Sequence, residues 1–91
     1  INDVKVPLNK EELVIILKGI QSTKGLNEEK STLIKELIEL VRYSIPHLSK
    51  LNSKDNYEKL TMIFKNKNIQ YNDELDTEEI ENAIFLAKNC Q

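Results

Sequence analysis

A chain of 91 residues has room for one folded domain and not for two, and folding hides only somewhat more than ~60% of its unfolded surface, so its core is adequate but thin. With 40% apolar and 31% charged residues the composition excludes a disordered chain and suits a soluble globular one. A net charge of −2 excludes general attraction to nucleic acid or anionic lipid, and the longest apolar run, LVIIL at 13–17, is far short of the ~20 residues that cross a bilayer.

Two glycines and two prolines are too few for a chain built on tight β-turns, so the sequence reads as all-α, a single domain over 1–91. Cys90 is the only cysteine, which removes any internal disulfide and points towards the cytoplasm. The chain starts at Ile1 rather than Met, so it is expected to be either an excised domain or a processed product, with secretion after signal-peptide removal as the second possibility.

Residues 1–8 form a short extended N-terminal arm, with Pro7 biasing Val6 away from helical geometry. The first helix is predicted over 10–24. Asn9 is its N-cap, Glu12 completes a capping box, Leu8 and Leu13 form the flanking staple, and Gly25 supplies a left-handed stop. Leu13, Ile16, Leu17 and Ile20 make its buried stripe. The second helix is predicted from 28, capped by Asn27, with Glu28 and Glu29 in the dipole-favoured first turn. Leu33, Ile34, Leu37, Leu40, Val41 and Leu48 share one broad face, so this helix reads as the centre of the core. Pro46 removes an amide donor, and two readings follow: one helix to 51 kinked at Pro46, which is preferred, or a break near Tyr43 followed by a short extra turn.

The third helix is predicted over 55–67, with Asp55 and Glu58 as a second capping box and Tyr57, Leu60 and Phe64 as its stripe. Ile69 and Tyr71 anchor the polar connection that follows. The fourth is predicted over 77–89. Leu75, Asp76, Glu79 and Ile80 repeat the staple, cap, box and staple seen at the first helix, and Ile80, Ala83, Ile84 and Ala87 face inward. Four helices with short connections give a compact four-helix domain, antiparallel and bundle-like.

The stretch NDELDTEEIE at 72–81 carries six carboxylates, which raises calcium first. An EF-hand loop needs oxygen ligands at positions 1, 3 and 5, Gly at 6 and Glu at 12. Counting from Asp73 puts Leu75 at 3, Glu78 at 6 and Ile84 at 12, and counting from Asn72 puts Thr77 at 6 and Ala83 at 12, so both registers fail. Asp73, Glu74, Glu78 and Glu81 are more acid than the helix start requires, and they are candidates for docking a basic partner. Zinc needs about four Cys or His ligands and the chain has only His47 and Cys90. Gly19 and Gly25 stand alone, so there is no phosphate loop. No metal, cofactor or catalytic group is expected, and the chain reads as a non-enzyme.

Three apolar residues fall off the buried stripes. Ile15 lies nearly opposite the Leu13–Ile20 stripe, and Phe85 and Leu86 point away from the inward face of the fourth helix. Either the arm and the Ile69–Tyr71 loop cover them, or they form an exposed patch that marks a protein partner or self-association, a homodimer included. In size and helix count the chain is similar to the small four-helix immunity proteins that protect bacteriocin producers, an analogy of architecture that rests on no shared motif. The expected function is that of an immunity-, inhibitor- or effector-like module that binds another protein. The alternative is a nucleic-acid-associated regulator using the lysine run at 50–67, Lys50, Lys54, Lys59, Lys65 and Lys67.

Overall fold

Helix starts in this chain are written in short polar signals, and the computed structural model places three of the four helix starts where those signals stand. It describes residues 8–23, 26–45, 51–65 and 75–90, the side chains of 51–53 excepted. Helix α1 spans Lys10–Gln21. The Asn9 side chain accepts from the Glu12 amide at 2.8 Å and the Asn9 amide donates to the Glu12 carboxylate at 3.1 Å. Helix α2 spans Glu28–Glu39, and Asn27 accepts from the Lys30 amide at 2.8 Å. Helix α3 spans Leu51–Lys65. Helix α4 spans Thr77–Lys88, opened by Asp76, which accepts from the Glu79 amide at 2.9 Å while Glu79 reaches back to the Asp76 amide. These caps satisfy amides that the first helical turn leaves without partners.

The helices close into a ring. Helix α2 packs against α1 and α4, and α3 packs against α1 and α4, while α1 and α4 make no pairing with each other, nor do α2 and α3. Each helix therefore has two neighbours and one diagonal opposite. The space between is filled by Leu13, Leu17, Ile34, Leu37, Val41, Leu60, Phe64 and Ile80, all buried completely. Ala83 and Ala87 are equally buried and allow α4 to approach its neighbours closely. The Cα radius of gyration is 12.6 Å, close to the ~12 Å of a folded chain of this length. The all-α four-helix expectation is met. The extended arm, Gly25, His47, Leu48, Ile69 and Tyr71 lie outside the described residues.

Helix α4 ends at Lys88, one residue short of the expected 89, and α3 has its end at Lys65 rather than 67; three other boundaries differ more. Helix α1 ends at Gln21, before Lys24: the Ser22 amide bonds back to the Lys18 carbonyl at 3.1 Å, the Thr23 amide reaches the Ile20 carbonyl, and the Thr23 hydroxyl donates to the Gly19 carbonyl at 3.2 Å. The long kinked helix to 51 is not formed. After Glu39 the chain widens into a π-helical turn, Leu40–Ser44, and Ile45 leaves helical geometry at φ −124° and ψ 61°. The residue before a proline is crowded out of the helical region by the ring, so the break falls at Ile45 and not at Pro46 itself. Helix α3 opens at Leu51 rather than 55, so Asp55 is no cap. It lies in the second turn and pairs with Lys59 at 3.5 Å, one turn on.

Candidate functional site

The candidate site lies beside the π turn. Val41 and Ile45 are buried in the core, while Arg42 and Tyr43 between them face outward. Tyr43 is 72% exposed, and the Arg42 guanidinium carbon stands 5.6 Å from the centre of its ring, within cation–π range. Across from them, on α1, Ile15 is 68% exposed. Between the two lies a groove of about 520 Å³ whose apolar lining is Val14, Ile15 and the Tyr43 ring. Its charged lining is Lys10, Lys18 and Arg42 with, among the described residues, one acid, Glu11. A second hollow of about 350 Å³ shares Lys18, Arg42 and Tyr43 and continues along α2 past Lys35, Ile38 and Glu39. The groove thus mixes apolar and basic lining, on a chain whose net charge is −2.

The other candidates divide. Phe85 is 65% exposed on α4, whereas Leu86 is partly buried and packs against the core. Ile15 and Phe85 sit on diagonally opposite helices, so they do not join into one patch. Glu78 and Glu81 are exposed on α4, and Asp73 and Glu74 lie outside the described residues. At about 100° per residue, Glu78 and Glu81 fall within about 40° of Phe85 around the helix, which makes an acidic ridge with one aromatic at its end. Of the lysine run, Lys54 and Lys59 are exposed with Lys59 paired to Asp55, Lys65 is half-buried, and Lys50 and Lys67 lie outside the described residues.

Cys90 is buried in the core cluster beside the end of α4, and burial pushes its thiol pKa up, away from reactivity. Tyr57 of α3 is also buried, and its hydroxyl finds no hydrogen-bond partner among the described residues. Desolvation drives its pKa upward, and Cys90, Glu11 and Glu12 push it the same way. Among the described residues no three His, Cys, Asp or Glu side chains converge on a point where a metal ion could sit, and no helix is long and apolar enough to cross a membrane.

Sequence reasoning found Ile15 and Phe85 from helical phase alone. It missed Arg42 and Tyr43, although helical phase was enough to find Tyr43: nine residues beyond Ile34, it lies about 180° from the buried stripe. Comparison with known protein families, with characterised proteins and with solved structures finds no match to this chain.

Proposed function

We propose that this protein acts by binding another protein, without catalysis, through the groove between α1 and the π turn. The observation that carries the reading is the pairing of Ile15 and Tyr43, two large apolar side chains about two-thirds exposed or more, across a hollow edged by Lys10, Lys18 and Arg42. Scattered single apolar residues on a surface require no explanation, but two that face each other over a shared hollow resemble an anchor site. Tyrosine and arginine are also the side chains that carry most energy in protein interfaces, being large, with little freedom to lose and several ways to bond. The four-helix, immunity- or effector-like reading fits this mode, as a rigid scaffold that presents a helix face.

The test is affinity capture from source cells with the immobilised chain. Ile15→Glu is expected to abolish recovery of a protein partner while the helical circular dichroism is unchanged. Undiminished recovery with Ile15→Glu would remove the groove from consideration. The nucleic-acid alternative predicts retention on DNA or RNA that weakens steeply with salt, and the Asp55–Lys59 pair already neutralises part of the lysine run it relies on.

A further inference from the structure

We infer that the groove accepts the acidic α4 ridge of a second copy of this chain, so that copies associate head to tail. The inference rests on the groove being a docking site and names its occupant. Three features support it. The groove is lined by Lys10, Lys18 and Arg42 together with Val14, Ile15 and Tyr43, and the ridge has Glu78 and Glu81 beside an exposed aromatic, Phe85, so charge and apolar surface are complementary. Both are built on capped helices, and Glu81 and Glu78 stand one and two turns before Phe85 on the same face of α4. Finally, α1 and α4 are diagonal in the bundle with the core between them, so no copy can fill its own groove with its own ridge. A contact between two different faces is heterologous, and unless the rotation closes a ring it propagates as an open chain. One aromatic in one groove falls below the ~1,200 Å² of a stable complex, so the association is weak and depends on concentration.

Sedimentation equilibrium of the whole chain tests this. The average mass should rise above the 10.6 kDa monomer with concentration and pass beyond twice that value. Raising salt from about 0.01 M to about 1 M shortens the screening length from about 30 Å to about 3 Å and should weaken association at least tenfold. Ile15→Glu, which spoils the groove, and Phe85→Ser, which spoils the ridge, should each hold the chain at monomer mass. Mixed together, they should form a one-to-one pair and nothing larger, since each keeps the face the other lacks. Both positions are exposed, and Arg42→Glu serves as a second groove variant should Ile15→Glu lose its helical signal. A plateau at the dimer with no rescue on mixing means a symmetric interface and overturns the inference. A wild-type monomer at every concentration and low salt overturns it as well. In that case the docking reading survives if Ile15→Glu still loses a captured partner, and falls with it if capture is unaffected.

Discussion

Tyr57 is the residue at which the fold pays most plainly for what it buries. Its ring fills space between α3 and its neighbours, yet its hydroxyl has no partner among the described residues, and an unmet buried hydroxyl costs about 1–3 kcal/mol. Tyr57→Phe keeps the ring and removes the unmet group, so it is expected to leave stability unchanged or raise it by about 1 kcal/mol in urea titration. A loss larger than that would mean the hydroxyl has a partner after all. The same residue sets an alkaline limit. Unfolded, Cys90 and Tyr57 lose their protons near their ordinary values of 9.0 and 10.0, while in the fold burial holds both pKa values higher. The unfolded chain then binds fewer protons than the folded one, so stability is fully present below about pH 9 and declines as pH rises through that value and beyond. The urea midpoint of the wild type should fall faster than that of Tyr57→Phe between about pH 9 and 11. Parallel curves for the two proteins would sink the assignment.

At the scale of the helices, the acidic stretch separates into parts with different work to do. Asp76 and Glu79 form the capping box of α4, whereas Glu78 and Glu81 make no cap. Asp76→Ala should therefore cost about 1 kcal/mol, moving the melting temperature by roughly 4–8 °C, and Glu81→Gln should cost no more than about 0.5 kcal/mol. Equal losses from the two would show that net charge, and not the cap, is what matters. This element was legible in the sequence because a capping box is a local code: the residues that bond stand three apart in the chain. Asn9 with Glu12 was legible for the same reason. Asp55 with Glu58 has the same spelling and is not used, since a cap preference of about 1 kcal/mol is smaller than the benefit of another helical turn against the core, and α3 begins one turn earlier. The break at Ile45 was only half legible. Pro46 announced it, but the choice between a bend and a break depends on whether Val41 and Ile45 can both be buried, which is settled by α1 and α4 packing against that turn.

Taken whole, the molecule has a thin core in which few residues are spare. Phe64 is the largest of the completely buried side chains. Phe64→Ala is expected to cost about 3–5 kcal/mol, out of a total that for domains of this kind is about 5–15 kcal/mol. The variant should melt without a sharp transition, or show its midpoint lowered by well over 10 °C in a circular-dichroism melt; a drop of only a few degrees would mean the core is better filled than the packing of α3 suggests. Surface ion pairs offer little reserve. Lys88 with Glu36 at 3.8 Å and Lys59 with Asp55 at 3.5 Å are both about half-exposed or more, a setting in which such pairs contribute about 1 kcal/mol or less. The stripes that build this core were readable from helical phase. The groove was not, because it belongs to no single helix: Ile15 and Tyr43 are 28 positions apart and meet only once the ring has closed.

The π turn at Leu40–Ser44 carries a consequence for descent. An i→i+5 turn differs from an i→i+4 turn by one residue, so the step between the two is a single inserted or deleted codon. A chain that lost one residue between Glu39 and Ile45 would run as ordinary α-helix through this turn, with its core stripe kept in phase. Related chains should therefore sort into two lengths at this point. Those one residue shorter would be expected to keep the bundle.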